Sequence, residues 1–502
     1  MSDEKTRPTD TRCARLIALA SGWQLFQDLD GTPYCSVGDN NEALPLSGET
    51  IKHKLTFAFF SEYGTAPGAA VSDALEVLIS KAKCAGQRVP VFVRTGQAAD
   101  GRIYLDLADG TGRAVEIAPY PDGWQIVAKP ECRFVRPLGL RALPVPLRTD
   151  ASVSLTGLLK PFLSCAEEDV ILLGSWVVQA LRPTGPYPIC VLHGEMGASK
   201  SSTCRLLKRI VDPNAAELRG HPRSEDDYIL AARNSHVLAL DNLSHVAEWF
   251  SDVMCRVSTS GSLSKRKLYS DGAEVLYHVV RPQVINGIDS GLLKREDLIS
   301  RAVLIECLPI PAERRRTEAE FWNTFEKAHP AILGAACDVL SVALANYETA
   351  PVGGDFRLSD FAQFLNAAEH SPKLGFARGA FVSAYAHNQT RAMRGTAENS
   401  PILAALLSVL RAEKKWEGTT GQLLEKLRSE NTYDWHNPEA PRSSRALAEM
   451  LKRLAPAMRQ EGLVVTRDRS DDKRRDRLLR IVWQGDGPQK PEPEPSDDGL
   501  PF

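Results

Sequence analysis

Short runs of alternating apolar and polar residues fill the first part of the chain, around one longer helical pattern. Up to about Arg141 the strand-like runs are residues 34–37, 91–94, 103–107 and 114–117, and residues 69–85 show helical spacing. Asp109-Gly110 separates the last two runs, which predicts a β-hairpin. We expect Asp106 and Asp109 to be turn and solvent-facing residues rather than a metal pair. The pattern predicts a small α+β domain, followed by a proline-spaced linker at 137–146.

Strand-like and helix-like segments alternate from about residue 151 to 345, which is typical of an α/β sheet with covering helices. A helical segment follows at 358–394. Three helices at 401–412, 419–429 and 443–460 and two strands at 463–466 and 478–482 then predict a winged helix. The last residues, 484–502, hold five prolines, five acids and one lysine, which predicts a disordered acidic tail. The predicted division is 1–148 (α+β), 149–345 (α/β core), 346–398 (helical extension), 399–483 (winged helix) and 484–502 (tail).

Composition narrows the class of protein. The 502 residues are 43% hydrophobic and 25% charged, as in an ordinary soluble globular protein. The net charge of -2 provides no overall field for nucleic acid, so any such binding must come from local patches. The first ten residues, MSDEKTRPTD, have no apolar core, and apolar runs such as 170–181 are short of a membrane helix. We expect a cytoplasmic protein with no membrane association, whose ten cysteines, none in a CxxC pair, are reduced.

A glycine-containing loop carries the strongest chemical signal. The apolar run 188–193 leads into GEMGASKS at 194–201, and 202–211 has helical character. Glycines let backbone N–H groups face phosphates, Lys200 would reach the β and γ phosphates, and Ser201 would ligate Mg²⁺. The candidate nucleotide-binding residues are Gly194, Glu195, Gly197, Ser199, Lys200, Ser201 and Ser202. Ser199 stands where the GxxxxGK[ST] pattern has glycine, and the alternative is a glycine turn that caps a helix.

Three further elements follow this loop in order. The apolar run 235–240 ends in Asp241-Asn242, the form of a Walker B strand whose aspartate holds magnesium; a strand ending in a helix cap is the alternative. The run 282–285 ends in Asn286, which suits a residue that positions water beside the γ phosphate, or a turn asparagine. Arg301 precedes the strand-like run 302–307 and would stabilise transition-state charge in a neighbouring site, or form a surface salt bridge.

Together these motifs resemble the AAA+ ATPases, and in detail the superfamily 3 and minichromosome maintenance helicases. More closely, GEMGASKSS, LALDNLS, LSKRKLYSD, QVINGI and DLISRAVLIECLPIP resemble a bacterial family of ATP-binding primase/helicase-like proteins of phages and mobile elements. The resemblance covers roughly 13–483 and implies ATP and Mg²⁺ as cofactors and a hexameric or similar ring with sites shared between subunits. Asn242 occupies the place of the usual catalytic glutamate, so the general base is unassigned and Glu195 is a substitute candidate.

Candidate DNA contacts lie in a second predicted hairpin. Lys265, Arg266, Lys267 and Tyr269 precede a turn and a return strand at 275–280. Three cations beside an aromatic ring suit phosphate contact and base stacking in single-stranded DNA, and in the resembled helicases a hairpin here lines the channel of the ring. The alternative is a solvated charged strand. The predicted winged helix would bind duplex DNA or serve as a protein contact.

The final residues, SDDGLPF, resemble the acidic tip of bacterial single-stranded DNA-binding proteins. Proteins that read that tip would then be partners of this chain, and the alternative is a solubilising tail. We expect a helicase or translocase that replicates a phage or mobile element. A nucleotide-switched DNA-binding initiator, loader or scaffold that does not unwind DNA is the rival, which Asn242 favours. We find no carboxylate cluster for nucleotidyl transfer in the N-terminal region.

Overall fold

The computed structural model describes residues 11–38, 41–259, 261–266, 274–287, 295–398, 401–429, 435, 440–469 and 477–484. The chain divides into two compact units. The first comprises Met1–Leu292 with Ser300–Tyr385, and the second Leu293–Ile299 with Ala386–Phe502.

Small sheets and three helices form the N-terminal part of the first unit. The helices are α1 (Arg12–Leu19), α2 (Glu49–Tyr63) and α3 (Ala70–Ala85). The strands are β1 (Gln24–Gln27), β2 (Pro33–Ser36), β3 (Leu44–Pro45), β4 (Gln87–Arg88), β5 (Val91–Phe92), β6 (Thr95–Gln97), β7 (Ile103–Asp106), β8 (Ala114–Ile117), β9 (Trp124–Val127) and β10 (Arg133–Phe134). They pair in the orders β3-β2-β1-β4, β10-β5 and β6-β7-β8-β9.

The helix predicted at 69–85 and the hairpin at Asp109-Gly110 are both confirmed, as α3 and as the antiparallel pair β7–β8. Gly110 has φ +81°, a left-handed conformation that glycine adopts without steric cost. The expectation for Asp106 was wrong. Its side chain is buried and accepts hydrogen bonds of 2.9 and 2.8 Å from Arg136, because β7 turns this residue inward.

A parallel sheet with covering helices follows. The helices in this stretch of the chain are α4 (Leu155–Leu159), α5 (Glu167–Ala180), α6 (Lys200–Val211), α7 (Glu225–Arg233), α8 (Glu248–Thr259), α9 (Glu296–Ile299), α10 (Glu318–Asn346), α11 (Ser359–Ala368) and α12 (Ala380–Glu398). Of these, α9 and the larger part of α12 belong to the second unit. The strands are β11 (Ile189–His193), β12 (Leu238–Leu243), β13 (Ser262–Arg266), β14 (Glu274–His278), β15 (Gln283–Gly287) and β16 (Ala302–Glu306). The sheet order is β12-β15-β11-β16, with every neighbouring pair parallel, so the expected mixed α/β core is present.

Several boundaries differ from the predictions. The strand expected at 235–240 is β12, which runs on through Asp241 and Asn242, and the strand expected at 282–285 is β15, which includes Asn286. Asp241-Asn242 and Asn286 therefore lie inside strands rather than after them, since each strand continues past its last apolar residue. The segment 358–394 contains two helices, α11 and α12.

The N-terminal part and the sheet share a hydrophobic core. Leu105, Ile117 and Trp124 belong to one buried cluster with α5, β11 and α10. The predicted linker is also held, since the N–H of Leu143 donates to Leu107 O at 2.9 Å. The boundary at residue 148 stays a prediction, and the core continues across it.

Helix α10 is the longest in the described part of the chain. With the turn that continues it to Thr349, this helix is long and apolar enough to cross a membrane, whereas we predicted no run of that kind. However, 61% of its most apolar window is buried inside the protein. A Cβ at Gly334 would lie only 1.9 Å from the carbonyl oxygen of Leu147, so the chain packs directly on this helix. This burial is typical of a core helix. A single helix of this kind is therefore weak evidence for a membrane span.

The second unit combines helices with a small antiparallel sheet. Its remaining elements are α13 (Pro401–Glu413), β17 (Lys415–Thr419), α14 (Thr420–Ser429), α15 (Ser444–Arg453), α16 (Ala455–Gln460), β18 (Leu463–Arg469) and β19 (Arg477–Trp483). The sheet order is β17-β19-β18. The two predicted strands are therefore present, the third predicted helix is split into α15 and α16, and β17 was not predicted. Residues 485–502, including the predicted tail, lie outside the described residues.

Candidate nucleotide site

The loop between β11 and α6 adopts left-handed backbone conformations at three positions. Gly194 has φ +138°, Gly197 φ +82° and Ser199 φ +58°. A Cβ at Gly194 would lie 2.3 Å from the carbonyl oxygen of Cys307, because the end of β16 passes directly beside it. The N–H of Cys307 donates to His193 O at 2.8 Å, which fixes that approach. The loop therefore requires glycine at position 194 by contact as well as by conformation.

Lys200 is the first residue of α6, so its ammonium group lies at the positive end of a helix. Nζ donates to the carbonyl oxygens of Gly194 at 2.7 Å and Glu195 at 2.6 Å. These bonds hold the lysine inside the curve of the loop. Unsatisfied N–H groups of the first helical turn face the same region. A loop and helix of this form make a ready site for phosphate oxygens.

Two side chains from separate elements converge on one carboxylate oxygen of a third. Oδ1 of Asp241 accepts from Ser201 Oγ at 2.7 Å and from Asn286 Nδ2 at 2.6 Å. Strands β12 and β15 are neighbours and parallel, so their carboxyl ends meet at the edge where α6 begins. Ligands of open α/β sheets bind at this edge. The structure thus brings the predicted residues Ser201, Asp241 and Asn286 into contact, with Lys200 next to Ser201 in the chain; their roles stay predictions.

A bulge in β12 sets the direction of Asp241. The pairing with β15 shifts between Leu240 and Leu243, and Asn242 has φ +56°. The N–H of Asn242 donates to Asn286 Oδ1 at 2.8 Å, so both ends of the Asn286 amide are used. Asn286 is only 2% exposed, so its amide is shielded from solvent, whereas Asp241 is partly exposed. Bulges of this kind re-aim side chains next to functional sites.

The side chains at this site offer few ligands for a metal ion. Ser201 and Asp241 offer one hydroxyl and one carboxylate, and the described residues contain no cluster of three or more His, Cys, Asp or Glu side chains for a metal. Magnesium is commonly held by one or two carboxylates together with substrate phosphates and water. The residues therefore fit Mg²⁺ that arrives with a phosphate ligand, and they do not form a cage for a free ion. Asn242, which stands in the place of the usual catalytic glutamate, and Glu195, the substitute candidate for the general base, are both exposed.

Arg301 lies away from this cluster. It directly precedes β16, and its carbonyl oxygen accepts from the N–H of Ile189 at 2.9 Å, at the start of β11. Because the strands are parallel, this is the amino edge of the sheet, one strand of about 16 Å from the loop. The structure therefore does not bring Arg301 to Lys200 of the same chain.

A cavity beside the loop was not predicted. It has a volume of about 350 Å³ and opens next to Ser199 and Ser202. Its lining combines aromatic and aliphatic groups with three arginines, one carboxylate and hydroxyl groups: Pro161, Phe162, Leu163, Ile310, Phe321, Trp322, Arg205, Arg314, Arg316, Glu318, Ser164 and Thr317. The guanidinium groups of Arg314 and Arg316 donate to the carbonyl oxygens of Leu163 and Pro161. The sequence signal was weak because these residues come from three separate segments.

The predicted hairpin is confirmed in its strands. β13 and β14 pair antiparallel, with Lys265 opposite Val275 and Arg266 opposite Glu274. Lys267 and Tyr269 lie outside the described residues. Their contact with DNA stays a prediction.

Comparisons with known proteins give the family context. The family model described as actinomycete integrative conjugative element replication protein matches residues 155–382, and that of the C-terminal domain of the same protein matches 402–494. A search of curated proteins found no match. Among solved structures the chain is similar to the apo NrS-1 C-terminal region, with 12% identity, 93% of this chain and 98% of that chain covered and a TM-score of 0.39. It is also similar to a structure titled SCCmec type IV Cch, active helicase, with 9% identity, 92% of each chain covered and a TM-score of 0.42.

The family match over residues 155–382 contains the loop between β11 and α6, the strands β12 and β15, and Arg301. The match over residues 402–494 contains the sheet β17-β19-β18. These family matches confirm the expectation of a mobile-element replication protein. Over residues 155–382 and 402–494 the chain therefore matches the replication protein of actinomycete integrative conjugative elements.

Proposed function

We propose that this protein is an AAA+ ATPase that acts as a DNA helicase or translocase in replication of its mobile element. The convergence of Ser201 and Asn286 on Asp241, beside Lys200, carries the proposal. A triphosphate in the loop would meet the Lys200 ammonium and the N-terminus of α6. Mg²⁺, held by Ser201 and Asp241, would neutralise charge on the phosphates. Asn286 would orient the attacking water, for which its link to Asp241 provides a fixed position.

The cavity next to Ser199 and Ser202 suits the base and ribose of the same nucleotide. Its volume of about 350 Å³ lies at the small end of ligand pockets. Phe162 and Phe321 offer apolar ring surface, and the guanidinium of Arg205 in the same lining is paired with Glu318 at 2.6 Å. Gly194, Glu195, Gly197 and Ser199 would then surround the phosphates through their backbone. ATP is therefore the ligand that the loop and cavity together support.

The DNA contacts are assigned to two places. The β13–β14 hairpin carries Lys265 and Arg266, followed by Lys267 and Tyr269, and would meet single-stranded DNA in a channel. The second unit has the helices and three-stranded sheet of a winged helix and would bind duplex DNA. A homo-hexamer or similar ring would bring Arg301 to the nucleotide of a neighbour, which its position on the opposite edge of the sheet supports. A cytoplasmic location follows from this role.

The test is ATP hydrolysis with and without single-stranded DNA, across protein concentrations that allow ring assembly. The parent is compared with Lys200→Ala and Arg301→Ala. We expect turnover that DNA stimulates and that both variants lose. ATP binding without turnover would exclude the motor, and the absence of ATP binding would exclude the nucleotide site itself.

A nucleotide-switched initiator or loader is the second candidate, and Asn242 favours it. This residue stands where a motor of this type has a catalytic glutamate, and its backbone is engaged with Asn286. A switch would bind ATP, change its affinity for DNA and hydrolyse ATP slowly. Unwinding that is lost when Lys265, Arg266 and Lys267 are all changed to alanine would decide for the motor.

A further inference from the structure

Two neighbouring arginines line the cavity of about 350 Å³ beside the loop, which the proposed function assigns to the base of the nucleotide. Nη2 of Arg314 donates to Leu163 O at 3.2 Å. Nη2 of Arg316 donates to Pro161 O at 3.4 Å. Both guanidinium groups are therefore held by backbone carbonyl oxygens of the same lining, at the end of the cavity that residues 161–163 form.

The charge of these two arginines is not cancelled inside the cavity. Glu318 is the carboxylate of the lining, and its Oε1 accepts from Arg205 Nη1 at 2.6 Å. Over the part of the chain that the structure describes, no carboxylate forms an ion pair with Arg314 or Arg316. Hydrogen bonds within the cap of α10 are the main cause that lowers the pKa of Glu320, and Arg316 adds to that shift. The cavity thus presents two guanidinium groups whose charge is uncompensated.

The backbone on this side of the cavity is already engaged as an acceptor. Pro161 O and Leu163 O each accept from an arginine, and Ser164 O accepts from the N–H of Leu308 at 2.7 Å. A guanidinium group carries five N–H donors in a fixed fork and has no acceptor. Hydrogen-bond donors therefore outnumber acceptors where the edge of a base would lie.

An edge rich in donors suits guanine better than adenine. Guanine presents two neighbouring acceptors, O6 and N7, and one guanidinium group donates to both. Adenine presents N7 beside its N6 amino group, and that amino group is itself a donor. Phe162 and Phe321, whose ring centroids lie 5.6 Å apart at an interplanar angle of 89°, offer apolar surface to the plane of either base. The polar end of the cavity, and not its apolar wall, therefore distinguishes the two purines.

We propose that the nucleotide site binds GTP at least as tightly as ATP, and that Arg314 and Arg316 bind the O6 and N7 edge of guanine. This inference rests on the proposed function, because it uses the same loop and cavity and adds the identity of the base. GTP then joins ATP as a ligand of the loop, and Arg314 and Arg316 become the residues that determine base specificity.

Calorimetric titration of the full chain with each nucleotide, in the presence of Mg²⁺, tests the inference. GTP should bind at least as tightly as ATP. ITP keeps O6 and N7 and lacks only the amino group at C2, so it should bind like GTP. The analogue 7-deaza-GTP lacks the N7 acceptor and should bind about tenfold more weakly than GTP, because one arm of the fork loses its partner.

Arg314→Met and Arg316→Met remove the donors and keep an unbranched side chain. Each should weaken the binding of GTP by about tenfold and change the binding of ATP by less than about twofold. Arg315→Met is the matched control, since Arg315 belongs to the same run of arginines but donates to Ile310 O at 3.3 Å and lies outside the lining. It should keep the parent ratio of the two affinities. If a methionine variant does not fold, lysine at the same position replaces it, since lysine keeps the charge and lacks the fork.

Tighter binding of ATP than of GTP in the parent overturns the inference and leaves the proposed function in place. Equal losses of GTP and ATP affinity in Arg314→Met and Arg316→Met also overturn it, because the arginines would then contact groups that both nucleotides share. Weaker DNA binding by these variants, with both nucleotide affinities unchanged, would assign the arginines to nucleic acid and would count against it equally. A parent that binds neither nucleotide overturns the proposed function itself.

Discussion

Nε of Arg94 lies 3.3 Å from Oδ1 of Asp212, and neither side chain has any solvent exposure. Arg94 follows β5, whereas Asp212 directly follows α6, the helix that begins with Lys200. Oδ2 of Asp212 accepts from the N–H groups of His236 at 2.8 Å and Val237 at 3.1 Å, which lead into β12. One carboxylate thus joins the N-terminal region to the two elements that carry Lys200 and Asp241.

Lys208 completes this buried cluster, with Nζ 3.6 Å from Asp212. Burial lowers the pKa of Arg94 and of Lys208, and Asp212 opposes both shifts. Burial alone would raise the pKa of Asp212, but Lys208 and Arg94 lower it. The carboxylate is therefore held ionised between two cations that depend on it.

Asp212→Asn should destabilise the first unit by about 3–5 kcal/mol, because it leaves two buried cations without their counter-ion. Urea unfolding followed by tryptophan fluorescence measures the change. Glu167→Gln is the control, since the Lys160–Glu167 pair has side chains 60% and 71% exposed and should contribute less than about 1 kcal/mol. Equal losses in the two variants would show that the buried cluster is not a stabilising link.

Two buried histidines predict a loss of stability in mild acid. Burial is the main cause that lowers the pKa of His236 and of His329 to about 4, from an ordinary value of 6.5. Between these values the unfolded chain binds protons that the folded chain does not, so stability falls as pH drops from about 6.5 to about 4. Each histidine contributes on the order of 3 kcal/mol across that window.

His329→Gln should flatten this pH dependence. The ring of His329 lies 3.1 Å from Ile210 O through Nε2, a hydrogen bond that a glutamine amide can also donate without titrating. Unfolding midpoints measured from pH 7 to pH 4.5 give the slope. His53→Gln, at a histidine whose side chain is 78% exposed, should keep the parent slope. An unchanged slope in His329→Gln would contradict the assignment.

The candidate site could be predicted because its polar residues come at or after the ends of apolar runs, in a fixed order along the chain. Lys200, Ser201, Asp241 and Asn286 were each marked by an apolar run and a polar end, and parallel strands bring such ends together. The bulge at Asp241 could not be predicted, since apolar periodicity shows where a strand is buried and not how its backbone pairs. Asn242 was expected to follow the strand and is instead a strand residue with φ +56°.

Contacts between residues that are distant in the chain could not be predicted from the sequence pattern. Arg94 was expected at the end of a strand, and its burial follows from a carboxylate 118 residues away. The strands at Leu105 and Ile117 were predicted, yet their packing into the core of the sheet was not, because alternation identifies an apolar face without showing what covers it. The cavity beside Ser199 was missed for the same reason.

Ser199→Gly should stabilise the protein or leave its stability unchanged, and should retain ATP binding. Ser199 has φ +58° and makes no side-chain capping bond to α6, so glycine relieves strain of about 1 kcal/mol that is partly offset by its greater freedom when unfolded. Ser202→Gly, inside α6, should instead lower stability by about 0.5 kcal/mol. Thermal unfolding of the two variants measures the contrast, and two changes of the same sign and size would argue against a strained loop.

Gly194→Ala should weaken ATP binding by about tenfold or more, because the left-handed conformation alone costs an alanine about 1–2 kcal/mol and contact strain adds to it. The new Cβ would lie 2.3 Å from Cys307 O, whose backbone is fixed by its bond to His193, so the loop itself must move. Gly197→Ala is the matched control: φ is +82°, but no heavy atom lies within 4 Å of its Cβ, so only the conformational cost applies. Titration with a fluorescent ATP analogue measures both affinities. The larger loss should belong to Gly194→Ala, since only there does strain combine with a backbone clash; equal losses would mean that the loop does not depend on its approach to β16.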